Sequence, residues 1–214
     1  LKIIEVFHSI QGEGPSVGRR TLFIRLAKCN LRCTWCDTQY SWEDGYDYSI
    51  EDILKEIKKY NVHYVCITGG EPLLQKEEVK KIIEVLSKTK AIKDIEIETN
   101  GTIEVSSFVK YKKATISMDI KCPSSGIKNI KKTRYDNLKY LRTKDHVKFV
   151  IKDSTDYEFA REVLRKYIIK SEIIFQPVWG INPKWLTEHV LNDQLNVRVQ
   201  LQTHKYIWGE EKGH

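Results

Sequence analysis

Three cysteines fall within eight residues, in the run Cys29-Asn30-Leu31-Arg32-Cys33-Thr34-Trp35-Cys36. A structural zinc ion asks for four ligands, usually as two C-x-x-C-like pairs. Only one such pair stands here. Three thiolates on one tight loop suit a cubane 4Fe-4S cluster that leaves one iron without a protein ligand. That iron is then open to substrate or cofactor, as the fourth position of a catalytic zinc is. The competing arrangement is zinc completed by Cys66, Cys122 or a histidine, although His8 and His63 show no ligand spacing to the run. Five cysteines, an odd number, argue against a disulfide framework. Cys66, between Val65 and Ile67, reads as a small buried hydrophobe, and Cys122 before Pro123 has no assigned role.

Other segments carry side chains or turns that chemistry could use. Gln11-Gly12-Glu13-Gly14-Pro15 lies near the start, and Arg25 stands four residues before the first cysteine. Asp37-Thr38 follows Cys36 at once. Gly69-Gly70-Glu71-Pro72 comes after a short β-branched run, and Gln200-Leu201-Gln202-Thr203-His204-Lys205-Tyr206 lies near the end. Paired glycines allow backbone to approach closely where a Cβ would block it.

These residues need elements to position them. Alternation predicts strands over Lys2–Phe7, Thr21–Ala27, His63–Ile67, Asp94–Thr99, Ala114–Ile120, His146–Ile151, Ile173–Gln176 and Val197–Leu201. Helical spacing is read after a Ser49 N-cap through about Tyr60, and over Gln75–Ser87, Tyr135–Leu141, Tyr157–Tyr167 and Pro183–Leu191. Strands separated by helices require a mainly parallel sheet, because a parallel return needs a crossover. About six βα units are too few for a closed eight-unit barrel of roughly 250 residues. An open partial barrel or a doubly wound sheet remains. In both, ligands sit beyond the carboxyl ends of the strands, where the informative residues fall.

The 214 residues are 41% hydrophobic, enough for a core, and form one expected domain over 1–214. No apolar stretch is long enough to span a membrane, and Glu5 interrupts the opening run, so a signal peptide is not read. A cytoplasmic location is the expectation. The net charge of +7 admits an anionic partner, but basic residues are interleaved with Glu, which favours a solvated surface over nucleic-acid binding.

The CxxxCxxC run with an aromatic residue before its last cysteine, together with Gly69-Gly70-Glu71-Pro72 after the next strand, resembles the radical S-adenosylmethionine family. Within it, SxQGEG at Ser9–Gly14, Cys36-Asp37-Thr38 and Gln202-Thr203-His204-Lys205 are similar to the branch that makes 7-deazapurines for queuosine or archaeosine. Matching segments run from Glu5 to Tyr206.

The resemblance implies a partial, open parallel β/α barrel of about six units. It also implies conversion of 6-carboxy-5,6,7,8-tetrahydropterin to 7-carboxy-7-deazaguanine with loss of ammonia, a carbon–nitrogen lyase reaction. The cofactors would be a 4Fe-4S cluster, S-adenosylmethionine and Mg2+. The partners would be an electron donor such as flavodoxin or ferredoxin and a second copy of the chain. Cys29, Cys33 and Cys36 would hold the cluster, and the Thr38 hydroxyl would bind magnesium. Ile10, Gln11, Gly12, Glu13, Arg25, Thr68 and His204 resemble substrate contacts, with the Arg25 fork on the substrate carboxylate. Gly69, Gly70, Glu71, Asn100, Ser117, Lys121, Gln176, Pro177, Val178 and Trp179 resemble the cofactor side. Two rivals are a glycyl-radical-enzyme activase and a zinc-stabilised basic nucleic-acid-binding module.

Overall fold

Period-two alternation sorts the strand residues onto two faces. One face carries Leu22, Ile24, Leu26, Val65, Ile67, Ile95, Ile97, Ile116, Met118, Ile120, Val147, Phe149 and Ile151, all buried in a single apolar core. The other carries Arg25, Thr68, Glu96, Glu98, Asp119 and Lys148, an unusual set for strands covered on both sides. The computed structural model describes residues 1–127 and 133–214.

The elements in chain order are β1 (Lys2–Ile10), β2 (Arg20–Leu26), β3 (Tyr46–Asp47), α1 (Ile50–Tyr60), β4 (Tyr64–Gly69), α2 (Lys76–Lys88), β5 (Asp94–Thr99) and β6 (Ala114–Ile120). There follow β7 (His146–Ile151), α3 (Ser154–Lys166), β8 (Glu172–Pro177), α4 (Pro183–Asn192), β9 (Arg198–Val199) and α5 (Thr203–Trp208). Among the described residues nine strands form one sheet in the order β3-β1-β2-β4-β5-β6-β7-β8-β9. From β2 to β9 each neighbour is parallel, while β1 pairs antiparallel with both β2 and β3. The sheet ends on two different strands, so it is the expected open, partial barrel.

The helices cover the apolar face with stripes at helical spacing: Ile53 and Ile57 of α1, Val79, Ile82, Ile83 and Leu86 of α2, Ala160 and Val163 of α3, Leu186 and Val190 of α4. Ser49 caps α1 through the reciprocal box read from the sequence: Asp52 N donates to Ser49 Oγ at 3.1 Å and Ser49 N to Asp52 Oδ2 at 3.3 Å. Among the described residues no helix is long and apolar enough to cross a membrane.

Several expectations change. β1 runs on to Ile10 and returns antiparallel, since a loop spanning Gln11–Arg19 closes a hairpin without a crossover. The last strand shrinks from Val197–Leu201 to Arg198–Val199, and the Thr203–Trp208 segment is helical. Tyr135–Lys139 is a 3-10 helix rather than an α-helix. The two-residue β3 was too short for alternation to mark.

The gap beyond β9 is stitched to the β1–β2 loop by polar contacts. Gly14 N donates to Gln200 Oε1 at 2.6 Å, and Gln200 Nε2 donates to Gly14 O at 2.8 Å. Thr203 N donates to Gly12 O at 3.0 Å and Gln202 Nε2 to Glu13 Oε1 at 2.8 Å. The start and end of the sheet therefore meet at one place.

Candidate active site

The carboxyl ends of β2 and of β4 through β8 open on a cavity of about 630 Å³. Residues that alternate away from the apolar core line it, so charged side chains share its wall with aromatic ones such as Phe7, Phe23 and Trp35.

The cysteine loop leaves β2 directly. Lys28 N donates to Ser41 O at 2.7 Å, and Cys36 N closes the second turn on Cys33 O at 3.3 Å. All three thiols are half-buried, unpaired and on the cavity wall. Burial raises the Cys29 and Cys33 thiols above their ordinary value. Cys29 Sγ accepts from Leu31 N at 3.4 Å and Asn100 Nδ2 at 3.9 Å. Among the described residues no three His, Cys, Asp or Glu side chains converge on a single-ion site. A mononuclear zinc site needs that convergence. A cubane does not, because each thiolate binds a different iron, so this donor set fits the cluster.

Gly69 and Gly70 line the cavity and also have a packing reason to be glycine. A Cβ on Gly69 would lie 2.2 Å from Leu26 O, and one on Gly70 2.2 Å from Lys28 O and 2.8 Å from Cys29 Cβ. The pair is glycine so that the end of β4 can lie against the backbone leading to Cys29. Two hydrogen bonds hold it there, Gly70 N to Leu26 O at 3.1 Å and Glu71 N to Lys28 O at 2.8 Å.

Glu71 is turned to the protein and does not line the cavity. Its buried carboxylate accepts from Leu73 N at 2.9 Å, Thr99 Oγ1 at 2.8 Å and Asn100 N at 2.7 Å. Burial pushes it up to about 7, against those bonds. Its oxygens close the turn after β4 at Leu73 and fasten that turn to the end of β5 at Thr99 and Asn100. Ser117 and Pro177 also lie off the cavity wall. Gly69, Gly70, Asn100, Lys121, Gln176, Val178 and Trp179 line it, as do Ile10, Gln11, Gly12, Glu13, Arg25, Thr68, His204, the three cysteines and Thr38. Gln176 is buried, and its Oε1 has no hydrogen-bond partner among the described residues. An acceptor stranded on a cavity wall fits a bound ligand with N–H or O–H groups.

Three charged groupings share the space. Arg25 Nε donates to Glu5 Oε1 at 2.7 Å, which also accepts from Tyr40 OH at 2.8 Å. The other two guanidinium nitrogens of Arg25 make no hydrogen bond among the described residues, so the fork is free on its outer edge. Across the cavity, Lys148 binds Glu13 and stands 3.3 Å from Asp119 Oδ1, while Lys121 Nζ donates to Asp119 Oδ2 at 2.6 Å. Burial would raise Glu13, but the Lys148 and His204 charges with bonds from Lys148 and Gln202 bring it down to about 2.

Deeper in, Gln11 Nε2 donates to Glu96 Oε2 at 3.0 Å and Glu98 Oε1 at 3.2 Å, and Thr68 Oγ1 to Glu98 Oε2 at 2.7 Å. Burial and the neighbouring Glu98 hold Glu96 well above the carboxylate range. Burial and Lys148 push His146, 3.5 Å from Glu96, down to about 4.

This sets a pH-dependent expectation. A carboxyl raised above its ordinary 4.5 stabilises the fold fully below that pH and loses the contribution as pH rises toward its folded value. Glu96→Gln should therefore gain urea resistance relative to wild type between about pH 5 and 8, by at most about 1.4 kcal/mol per pH unit. Parallel pH curves would mean that Glu96 is not held protonated.

Glu5, Tyr40, Glu96, Glu98, Asp119 and Lys148 had no assigned role at the sequence level. For Glu96, Glu98, Asp119 and Lys148 the signal was a charge at alternate positions inside otherwise apolar strands, as in Ile95-Glu96-Ile97-Glu98 and Val147-Lys148-Phe149; Glu5 and Tyr40 carried no such signal. On a two-sided parallel sheet such alternation marks a barrel interior. Gly209–His214 also lie along the cavity, where the sequence assigned nothing.

A profile of the Radical SAM superfamily matches residues 23–157, which span the cysteine loop and the strands around it. The chain is 42% identical to a 7-carboxy-7-deazaguanine synthase of Thermoplasma acidophilum over 99% of both chains. It is 42% identical to one of Methanospirillum hungatei over 97% of this chain and 85% of that one. The crystal structure of QueE from Escherichia coli superposes with a TM-score of 0.71 at 24% identity, covering 95% of this chain and 94% of that one, and so shares the fold. With a family profile across the cysteine loop and full-length relatives at this identity, the chain belongs to the radical SAM superfamily and, within it, to the 7-carboxy-7-deazaguanine synthases.

Proposed function

We propose that this chain converts 6-carboxy-5,6,7,8-tetrahydropterin to 7-carboxy-7-deazaguanine with loss of ammonia, on the way to queuosine or archaeosine. The observation that carries the reading is the meeting, in one cavity, of the three-cysteine loop with the open fork of Arg25 and the polar wall of Thr68, Glu98 and His204. As a radical SAM enzyme the chain uses a 4Fe-4S cluster and S-adenosylmethionine. With the cluster held by Cys29, Cys33 and Cys36 on the cavity wall, they would supply radical chemistry for hydrogen abstraction from the pterin.

The protein's share is holding and orienting. In this reading Cys29, Cys33 and Cys36 hold the cluster. Arg25, fixed by Glu5 and Tyr40, pairs with the substrate carboxylate. Gln11, Glu13, Thr68 and His204 read the pterin edge. Gly70, Asn100, Lys121, Gln176, Val178 and Trp179 face the cofactor. Closely packed charges such as Lys148 between Glu13 and Asp119 keep these groups in place and displace water.

Magnesium at Thr38 belongs to the same reading. The Thr38 hydroxyl is only weakly engaged, 3.5 Å from Asp37 Oδ1 and 3.8 Å from Cys36 Sγ, which leaves a hard oxygen donor free. A cation that keeps waters and takes few protein ligands suits that place. Thr38→Ala should keep its cluster and lose about tenfold in turnover at limiting magnesium, recovering as magnesium is raised. Turnover unchanged at every magnesium level would remove Thr38 from the site.

A cytoplasmic location fits free thiols and a cluster that needs reductant. The reading also includes flavodoxin or ferredoxin as electron donor, a single domain spanned by one sheet, and a homodimer that sedimentation would check.

The deciding experiment is an anaerobic assay of reconstituted protein with reductant, magnesium, S-adenosylmethionine and 6-carboxytetrahydropterin, read by mass spectrometry. The product mass of 7-carboxy-7-deazaguanine is expected. Accumulation of 5′-deoxyadenosine without it would overturn the substrate.

A further inference from the structure

The segment Cys122-Pro123-Ser124-Ser125-Gly126 has no role in the reading above, yet the cysteine loop hangs from it. Thr34 N donates to Ser125 O at 3.0 Å and Thr34 Oγ1 to Ser124 O at 2.8 Å. Trp35 Nε1 donates to Ser124 Oγ at 3.3 Å. Gly126 has φ +72, and a Cβ there would lie 2.6 Å from Thr34 Cγ2, so the turn and the loop are fitted closely. Thr34 and Trp35 are the two residues between Cys33 and Cys36.

Ser124 is itself anchored from the barrel. The fully buried Asp156 of α3 accepts from Ser124 N at 2.8 Å, from Ser124 Oγ at 2.5 Å and from Lys152 N at 2.8 Å. Every one of these donors comes from outside the helical ladder of α3. One bond secures the chain entering α3 at Lys152, and the other two tie the Ser124 turn to that helix start. The other side of that turn carries Thr34 and Trp35.

We propose that Asp156 and Ser124 are positioning residues for the cluster, fixing through Thr34 and Trp35 the turn that presents Cys33 and Cys36. The proposal deepens the reading of the three cysteines as cluster ligands and rests on it. Groups one step removed from metal ligands orient them and tune the metal. In this chain that step starts behind the cavity wall, at Asp156 and Ser124, and reaches it at Trp35. Lys121, held by Asp119, also places its Nζ 5.2 Å from the centre of the Trp35 ring.

Ser124→Ala removes the Trp35 acceptor and one Asp156 bond but keeps the backbone contacts, and Asp156→Asn keeps the size and loses acceptors. Two measurements test the pair. Hydrogen exchange on metal-free protein should be about fivefold faster at residues 33–36 in Ser124→Ala, as expected for one lost hydrogen bond, with the β-sheet unchanged. Potentiometry of the reconstituted protein should show a shifted cluster potential with full iron and sulfide, restored in Ser124→Thr. Unchanged exchange and unchanged potential in Ser124→Ala would overturn the proposal, even if Asp156→Asn failed to fold. Wild-type protein that bound no iron and sulfide would instead bring down the cluster reading, while the exchange data would still judge the brace.

Discussion

Gly70→Ala is expected to yield a folded barrel that retains less than about a tenth of the wild-type iron and sulfide after anaerobic reconstitution. The added Cβ would meet Lys28 O at 2.2 Å, Lys28 C at 2.6 Å and Cys29 Cβ at 2.8 Å. Two of these are backbone atoms, which cannot swing aside as a side chain can. They belong to a stretch tied down by Lys28 N on Ser41 O and Glu71 N on Lys28 O. The overpacking costs about 1–3 kcal/mol, which a core this size tolerates. Relief comes by pushing the Lys28–Cys29 backbone away from β4, and with it one of the three thiols. Iron and sulfide analysis beside a thermal melt separates loss of the site from loss of the fold. A variant with a full complement of both would show that the close approach is not needed for the cluster.

Lys148→Met should lower stability near pH 7 by about 3–5 kcal/mol, read from the urea midpoint, and abolish turnover. Methionine matches the stem of the lysine, so the effect comes from the charge. Lys148 sits buried between Glu13 and Asp119, and its removal leaves both carboxylates on the cavity wall with less compensation. Glu13 in wild type lies near about 2, so its contribution is complete above its ordinary 4.5 and is lost only as pH falls toward 2. Without Lys148 that depression is relieved, and protonation becomes the cheaper way to bury the group. The variant should therefore recover part of its deficit between about pH 7 and 5, where wild type does not gain from Glu13. A deficit independent of pH would assign the effect to packing.

Much of this was legible in the sequence because it depends on spacing. The three cysteines, the capping box at Ser49 and the apolar stripes of α1 and α2 follow from local rules. What was misread depends on where a side chain points. Glu71 looked like a ligand group because a carboxylate beside two glycines at a strand end is suggestive. Its oxygens are spent on Leu73, Thr99 and Asn100. Asp119 and Lys148 were passed over because a charge in a strand reads as solvent-facing until the sheet is known to curve around it. The Thr203–Trp208 helix was hidden by its length, since six residues hold too few turns to show a period.

The seam between the Gln11–Gly14 loop and the Gln200–Thr203 segment has a consequence for how the chain is made. Its partners stand 186 residues apart at Gly14 and Gln200, and 189 at Glu13 and Gln202. At about 5–20 residues per second, a ribosome needs roughly 10–40 s to supply the second half of each pair. Lys148, the cation of Glu13, is synthesised before Gln202, its amide partner. The seam can therefore close only after almost the whole chain has been made. Until then the pocket is an open trough that a chaperone or protease can reach.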